Sequence, residues 1–426
     1  MLSEQLCKVQ KYRVFLEKKI VKQSKRLKIY IHIPFCVRKC SYCDFLSMSV
    51  DEEIQRDYVR ALVREIELSR EKMEDYLIDT VFIGGGTPSI LQESLIKEIL
   101  SALMANSKVS DDAEITIECN PGTVTEEKLQ LYKKLGINRV SIGLQSANDK
   151  ELEEIGRIHN YAQFLESYHV ARKCGFDNIN IDLMSALPGQ SEKSYQETLK
   201  KIIELNPEHI SAYSLIVEEG TEMYRRVESA EAKGKTILPK EEEERKMYYL
   251  TRELLAKAGY ERYEISNYAK RGYECKHNIG YWKRKDYLGF GIGAASLYQE
   301  ERYNNVRDIR VYMDKLLKAD IPNRNLGNNE YAVRLNQNII KSIEENQQKL
   351  SVEEQIEEFM FLGLRMMEGV SVKGFEETFG KKYEEVYGKV SDKLMVQGLL
   401  EQSGDNVRLT EWGIDVSNYV MAEFMF

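Results

Sequence analysis

The sequence has no long apolar segment of the kind that enters or crosses a membrane. No apolar run reaches transmembrane length, and no apolar signal core follows the charges near the first residue. Positive charge is not in excess either, since 61 Lys and Arg residues stand against 69 Asp and Glu residues, for a net charge of −8. General nucleic-acid binders usually carry a basic surface. We therefore expect a cytoplasmic globular protein that has no nucleic-acid partner.

Cysteine is also scarce, with seven residues in a chain of 426. Without a secretory signal, this number does not indicate a disulfide framework. Four of the cysteines are scattered and are interpreted as small packing residues or free thiols, namely Cys7, Cys119, Cys174 and Cys275. The other three, Cys36, Cys40 and Cys43, form a CxxxCxxC pattern after the apolar run IYIHIPF.

Three thiolates at this spacing can hold one inorganic cluster. Structural zinc normally takes four protein ligands, often as two separated pairs, and no second CxxC or HxxxH follows in the chain. A [4Fe-4S] cluster is ordinarily held by four cysteines, so three would leave one iron open to a substrate or cofactor. We therefore predict a [4Fe-4S] cluster at this loop. A zinc site completed by His32 or by a distant residue is the alternative.

Apolar, β-branched runs alternate with helical patterns from residue 28 to about residue 215. The predicted strands are 29–33, 80–84, 114–119, 139–145, 178–184 and 209–215. The predicted helices between them are 52–74, 91–105, 125–135, 161–174 and 192–205. Repeated strand-helix units indicate a parallel sheet with right-handed crossovers. The fold class we predict is α/β, with a partial (β/α)6 barrel.

Polar residues follow the predicted strands at their carboxyl ends, where chemistry sits in such folds. The second strand runs into GGGTP at 84–88, whose glycines allow positive φ and close approach of a ligand to the backbone. Glu118, Gln145 and Asp182 end later strands. Burying a carboxylate without a partner is costly, so a cationic or hydroxyl-rich ligand would satisfy these acids, and Arg157 could bind a ligand carboxylate. Internal ion pairs are the alternative for these charges.

The remaining regions differ from the barrel in composition. Residues 1–27 are rich in Lys and Arg and predict a basic leader, which either contacts an anionic membrane or packs as a solvated helix. Residues 28–305 hold the barrel and its extension. Residues 306–426 predict a mostly helical domain that ends in a winged-helix-like hairpin at 399–413, with a partner-binding or lid role. Within it, the polar stretch 330–350 predicts a flexible insertion.

One of only five histidines, His277, lies in the aromatic segment HNIGYW at 277–282. A histidine beside aromatic residues suits a haem iron, because imidazole binds iron and aromatic rings cover a porphyrin. A polar loop tied down by His277 and Asn278 explains the same residues without any ligand. The segment YLGFGIGAASL at 287–297 predicts a close-packed, glycine-rich loop in the pocket wall.

Together these motifs resemble the coproporphyrinogen-dehydrogenase-like family of radical S-adenosylmethionine (SAM) proteins. The resemblance covers about residues 28–426 and rests on motifs in one order, YIHIPFCVRKCSYCDF, FIGGGTP, IECNPG, NRVSIGLQS, GRIH, IDLMSALPGQ, YEISNYA and HNIGYW. It implies that Cys36, Cys40 and Cys43 hold a [4Fe-4S] cluster whose open iron chelates SAM. It also implies a SAM region formed by Tyr30, Tyr42, Gly85, Gly86, Thr87, Glu118, Gln145, Arg157 and Asp182.

Two features separate the branches of this family. The dehydrogenase branch has CxxxCxxCxC, whereas here Phe45 stands two residues after Cys43. HNIGYW is similar to the haem-binding motif of the haem-chaperone branch, which implies that His277 is a haem ligand.

The resemblance therefore implies a chaperone that holds haem and delivers it to apo-haem proteins such as respiratory enzymes. The alternative is an oxygen-independent coproporphyrinogen III dehydrogenase, which uses radical SAM chemistry to decarboxylate propionate side chains. The cluster implies an electron donor as a further partner. The sequence thus leaves open whether the protein is an enzyme.

Overall fold

The structure, a computed structural model, describes residues 25–318 and 330–426. Most of the predicted basic leader, residues 1–24, therefore lies outside the described residues, while Lys25–Leu27 already belong to the first strand. No helix within the two described ranges is both long and apolar enough to span a bilayer.

Six parallel strands form the centre of the fold and confirm the predicted partial barrel. They are β1 (Lys25–Ile33), β2 (Tyr76–Gly85), β3 (Lys108–Cys119), β4 (Arg139–Gln145), β5 (Ile179–Ser185) and β6 (His209–Ser214). Each strand pairs in parallel with the next one along the chain. All six carboxyl ends therefore meet at one end of the sheet.

Helices connect these strands and cover the apolar face of the sheet. They are α1 (Glu52–Leu68), α2 (Arg70–Met73), α3 (Glu93–Asn106), α4 (Glu126–Lys134), α5 (Asp149–Glu154), α6 (Tyr161–Lys173) and α7 (Glu192–Leu205). On β1, Ile29 and Ile31 are fully buried in the main core with Leu62 of α1. Because side chains alternate along a strand, Tyr30 and His32 point to the opposite face, which is the interior of the barrel.

The sheet continues beyond the six parallel strands at both edges. Its additional strands are β7 (Glu261–Glu264), β8 (Asn267–Ala269), β9 (Tyr287–Phe290), β10 (Ala295–Tyr298), β11 (Glu301–Asn305) and β12 (Glu344–Lys349). Strand β8 pairs with β6, and β9 pairs in parallel with β1. The helices of this region are α8 (Glu222–Glu231), α9 (Glu241–Lys257), α10 (Lys276–Trp282), α11 (Ile309–Leu317) and α12 (Glu330–Ile343).

Two predictions for this region are wrong. The segment 287–297 is not a loop, because β9 and β10 occupy most of it. Its Gly289 allows close approach of the neighbouring strand, since a Cβ there would lie 2.3 Å from the carbonyl oxygen of Ala295. The stretch 330–350 is not an insertion without structure. It forms α12, whose Ile339 and Ile343 enter the main core, and β12, which pairs with β11.

The C-terminal part is mostly helical with a small sheet, as predicted for a winged-helix-like domain. Its elements are α13 (Val352–Gly363), β13 (Val370–Ser371), α14 (Val372–Phe379), α15 (Tyr383–Val396), β14 (Leu400–Ser403), β15 (Asn406–Leu409), α16 (Glu411–Asp415) and α17 (Ser417–Ala422). The strand order is β13-β15-β14. This part has its own core, in which Met360, Phe375 and Phe424 are fully buried.

The packing of the core residues favours a boundary between the barrel and the C-terminal part that lies after residue 306. Val306, Tyr312 and Leu316 belong to the same core as β1 and α1. Because α11, α12 and β12 complete the large sheet and its cover, we propose that the C-terminal domain begins near residue 350. Arg284 joins the two parts, since its Nε–H donates to Glu358 of α13 over 2.8 Å.

Candidate cluster and cofactor site

A cavity of about 310 Å³ opens at the carboxyl ends of the six parallel strands. It contains most of the residues predicted from sequence for the cluster and for SAM, namely Cys36, Cys40, Tyr42, Cys43, Gly85, Gly86, Thr87, Glu118, Gln145, Arg157 and Asp182. We call it the cluster cavity. Tyr30 and His277 are the two predicted site residues that do not line it.

The cysteine loop is held at this cavity by main-chain hydrogen bonds. Cys36 N–H donates to Met48 O over 3.0 Å, and Met48 N–H donates back to Pro34 O over 2.8 Å. Further along, Ser41 N–H donates to Ile155 O over 3.1 Å. The first two bonds join the ends of the loop to each other, and the third holds its centre against the end of α5; Cys36, Cys40 and Cys43 all line the one cavity.

The three cysteines are free thiols and partly exposed. Cys36 Sγ lies 3.5 Å from Thr87 Oγ1, and Arg157 Nη1–H donates to Cys40 Sγ over 3.7 Å. Burial raises the pKa of the Cys43 thiol. In the part of the chain that the structure describes, no group of three His, Cys, Asp or Glu side chains is arranged to hold a single metal ion.

The glycine segment at 84–88 lies directly against the cysteine loop, and this close approach requires glycine. Gly85 has a φ of +113°, which disfavours any residue with a side chain, and a Cβ there would lie 2.5 Å from the His32 ring. A Cβ on Gly86 would lie 2.6 Å from Phe35 O. The backbone of this segment therefore approaches both β1 and the loop closely, and the cavity between them stays open.

His32, one of the residues considered as a fourth ligand of a zinc site, has a structural role in this structure. Its Nε2–H donates to Leu46 O over 2.9 Å, so its Nδ1 accepts from the Tyr30 hydroxyl, also over 2.9 Å. Burial lowers the pKa of His32 and favours the neutral ring that these two bonds require. Tyr30 thus orients His32, and His32 secures the end of the cysteine loop.

Two half-buried carboxyl groups, those of Glu118 and Asp182, line the cavity. Burial and the neighbouring Asp182 raise the pKa of Glu118 to about 8, although Gly85 N–H donates to its Oε2 over 3.0 Å. Burial also raises the pKa of Asp182, against hydrogen bonds from Asn180 and Ser141 at 2.8 and 3.2 Å. A ligand that donates hydrogen bonds or carries positive charge would stabilise the carboxylate form of these acids.

Arg157 is a buried cation in the wall of this cavity, which Arg38 and Lys39 also line. Its Nη2–H groups donate to Asn120 Oδ1 over 2.9 Å and to Gly143 O, while its Nε is buried and has no hydrogen-bond partner. A buried guanidinium with an unsatisfied N–H suits a ligand carboxylate. The residues present therefore fit a ligand that has both an ammonium and a carboxylate, as SAM has.

Sequence reasoning did not assign several further residues of the cavity, among them Ser211, Tyr213 and Asn278. Strand β6 carried a usable signal, because His209, Ser211 and Tyr213 alternate with other residues and so share the inner face. Tyr213 donates to Gln145 Oε1 over 3.1 Å, and Gln145 itself has a φ of +74°. Backbone strain of this kind in a residue other than glycine is typical of ligand sites.

His277 lies on α10, inside the barrel and below the cluster cavity. It is 1 % exposed, with Nδ1 2.8 Å from Thr80 Oγ1 and Nε2 2.9 Å from Tyr281 Oη. The Glu114 carboxylate fixes the helix start by accepting from Lys276 N–H and His277 N–H, both over 3.1 Å. Both ring nitrogens of His277 are thus occupied in this conformation, and burial holds its pKa well below the usual value.

Comparisons with protein families agree with this geometry. Residues 30–202 match the family model described as the radical SAM superfamily, and residues 350–416 match the HemN C-terminal domain. The first match spans β1 to α7 and includes the cysteine loop and the glycine segment. The second begins near the residue that we propose as the start of the C-terminal domain.

Individual relatives extend the likeness to nearly the whole chain. Heme chaperone HemW of Bacillus subtilis is 37% identical over 397 residues, which are 93% of this chain and 98% of the relative. Heme chaperone HemW of Lactococcus lactis is 34% identical over 93% of this chain and 96% of the relative. Among solved structures, coproporphyrinogen III oxidase (HemN) from Escherichia coli aligns with a TM-score of 0.79 at 21% identity, over 95% of this chain and 92% of that chain. The structural likeness supports the fold.

Replacing any one of Cys36, Cys40 or Cys43 by alanine is expected to abolish the iron-sulfur absorbance of anaerobically reconstituted protein, because each is one of the three thiolates that the cysteine loop offers to the cluster. Cys174→Ala is the control, since Cys174 ends α6 and lies outside the cavity. Iron content and the visible spectrum measure the effect. A native preparation that contains zinc and no iron would contradict the assignment.

Glu118→Gln is expected to flatten the pH dependence of stability of the cluster-free protein. The pKa of Glu118 rises from 4.5 in the unfolded chain to about 8 in the fold, so between these values the folded state holds a proton that the unfolded chain releases. The free energy of unfolding contributed by this group therefore falls as pH rises through that window. Urea unfolding at several pH values from about 5 to about 9 measures this free energy of unfolding. Glu98→Gln, at an exposed site on α3, is the control, and equal slopes in wild type and Glu118→Gln would contradict the account.

Proposed function

Because the chain belongs to the heme chaperone HemW family of radical SAM proteins, we propose that it is a haem chaperone, which binds haem and a [4Fe-4S] cluster with SAM and delivers the haem to apo-haem proteins. The observation that carries this proposal is the match to the Bacillus subtilis relative over 93% of this chain and 98% of that one. It includes the cysteine loop, the haem-type motif HNIGYW and the C-terminal domain.

The cluster cavity supports the cofactor part of the proposal. Cys36, Cys40 and Cys43 would hold the cluster, whose chemistry when bound is to supply an electron to SAM. Arg157 would pair with the SAM carboxylate, while Glu118 and Asp182 would accept hydrogen bonds from its ammonium or ribose hydroxyls. Gly85 and Gly86 keep the backbone close to the ligand without side chains in its way. Tyr42 completes the wall as an aromatic surface for adenine.

For haem we propose His277 as the iron ligand. Its pKa is well below the usual value, so the ring is neutral and keeps a lone pair for a metal. Thr80 holds the Nδ1 side of the ring at 2.8 Å, in the way that outer groups orient metal-binding histidines. Binding of iron at Nε2 requires that the Tyr281 hydroxyl gives up its place there.

The proposed partners follow from this activity. They are haem itself, haem-receiving proteins such as respiratory enzymes, and an electron donor for the cluster, and we place the protein in the cytoplasm. The Lys- and Arg-rich residues 1–27 are the proposed region of peripheral membrane contact. The alternative, an oxygen-independent coproporphyrinogen III dehydrogenase, shares the fold with the Escherichia coli HemN structure, but Phe45 replaces the last cysteine of the CxxxCxxCxC pattern.

His277→Ala is expected to weaken haem binding by at least about tenfold, because changes that only reorient a metal ligand already cost about 10- to 100-fold in affinity. Titration of the anaerobically reconstituted protein with haem, followed by the Soret band, measures this. His209→Ala is the matched control. His209 is equally buried at 1 % exposure and has both ring nitrogens hydrogen-bonded, to Asn180 and Tyr263.

Wild-type affinity in His277→Ala would refute the ligand assignment. Absence of saturable haem binding in the wild-type protein would refute the chaperone. In that case, formation of 5′-deoxyadenosine and a decarboxylated porphyrinogen from the reduced protein would establish the enzyme.

A further inference from the structure

Helix α10 separates two cavities of the barrel. Asn278, in its first turn, lines the cluster cavity, whereas Tyr281 and Trp282 at its end line a second cavity. His277 lies between them and is stacked on Phe82 of β2, with ring centroids 5.2 Å apart. One short helix thus carries residues that contact both cavities.

The second cavity has a volume of about 370 Å³, within the usual range of small-molecule sites. Its wall is largely aromatic and apolar and consists of Tyr30, Tyr281, Trp282, Tyr287, Ala295, Leu297, Arg302 and Leu362. We call it the aromatic cavity. Most of these residues come from β1, α10, β9 and β10, and Leu362 comes from α13, so the C-terminal domain forms part of the wall.

Two polar groups in this wall suit a ligand that carries acidic groups on an apolar body. The indole Nε1–H of Trp282 is buried and has no hydrogen-bond partner. The guanidinium of Arg302 binds Glu358 Oε1 over 2.6 Å but keeps 39% of its side chain exposed. An unsatisfied buried donor costs free energy that an acceptor on a ligand would recover.

Tyr281 connects the aromatic cavity to His277. Its hydroxyl lies 2.9 Å from His277 Nε2, and its ring packs edge-on against His277 and Tyr287, with centroids 4.9 and 4.7 Å away. With the His277 proton on Nδ1, donated to Thr80 Oγ1, the Nε2 lone pair is the acceptor for Tyr281 O–H. The Tyr281 side chain therefore covers the atom that a metal would bind, on the side of the aromatic cavity.

We propose that the aromatic cavity is the haem site, and that Tyr281 is a gate whose hydroxyl occupies His277 Nε2 until haem enters. This inference rests on the proposed function and adds the place and the gating residue. A porphyrin in this cavity would contact Tyr30, Tyr287 and Leu297, and its carboxylates would pair with the partly exposed Arg302. Because Leu362 belongs to α13, a movement of the C-terminal domain opens this wall and releases the haem.

Ala295→Trp tests the location. Ala295 is exposed on β10, so the added indole fills the cavity mouth without entering the core, and aromatic residues are well tolerated in strands. Haem binding, measured by the Soret titration, is expected to weaken by about tenfold or more, while the iron-sulfur absorbance stays unchanged. Val311→Trp, at a 40% exposed site on α11, is the matched control and is expected to bind as wild type does.

Tyr281→Phe tests the gate. It removes the hydroxyl from His277 Nε2 and keeps the ring, so haem is expected to bind about two- to tenfold more tightly, the effect of one competing hydrogen bond. The same Soret maximum as wild type is expected, because the iron ligand is unchanged. Weaker binding in Tyr281→Phe would overturn the gate.

These outcomes separate the inference from the proposed function. If Ala295→Trp binds haem as tightly as wild type while His277→Ala loses binding, the chaperone stands and the aromatic cavity is wrong as its site. If the wild-type protein itself binds no haem, the proposed function fails and this inference fails with it.

Discussion

Charges buried inside the barrel are the constraint on which this structure depends. Arg139 is 2 % exposed, and Glu118 and Asp182 lie deep enough that burial raises the pKa of both acids. Burial of an isolated ion is costly, and the fold offsets the cost with hydrogen bonds, opposite charges and proton uptake. The part of the barrel interior around Glu118 and Asp182 opens into the cluster cavity. There the two acids can accept further hydrogen bonds from a polar ligand.

Helix α10 closes the barrel interior on the side away from the opening of the cluster cavity. The helix therefore links the cofactor region to the proposed haem region. Glu114 fixes the start of the helix through two main-chain N–H groups, while Thr80 holds His277. The following residues reach the C-terminal domain, since Arg284 binds Glu358. A ligand in either cavity therefore contacts the same short helix. This arrangement provides a physical route by which one site and the C-terminal domain can respond to the other.

The central part of the fold was predictable because its signals are local. Apolar runs such as 139–145 mark buried parallel strands, and the cysteine and glycine segments stand directly at their carboxyl ends. Strand β12 could not be found in this way, because its sequence EENQQK is polar and five of its six residues are exposed. Its position comes from main-chain pairing with β11. Such pairing depends on where the rest of the chain places the partner strand.

Local sequence signals likewise identified some residues of the candidate site, while the contacts of others depend on the whole fold. Glu118 and Arg157 stand out in the sequence as charges in otherwise apolar or unusual surroundings, and the fold brings them to one cavity. Tyr30 was predicted in the SAM region and His277 as a haem ligand, but both lie where only the complete fold decides the contacts. Tyr30 points to the aromatic cavity and bonds His32, and His277 is covered by Tyr281. The HNIGYW motif thus pointed to a helix that contacts both cavities, but not to the cavity that each of its side chains contacts.

Transfer of haem tests the central claim most directly. The anaerobically reconstituted protein would be loaded with stoichiometric haem and mixed with membranes that contain a haem-depleted b-type respiratory enzyme, with haem on serum albumin as the control donor. The account predicts that the Soret band of the protein falls while the spectrum and activity of the respiratory enzyme return, faster than from albumin. Retention of the haem, or equal rates from both donors, would contradict it.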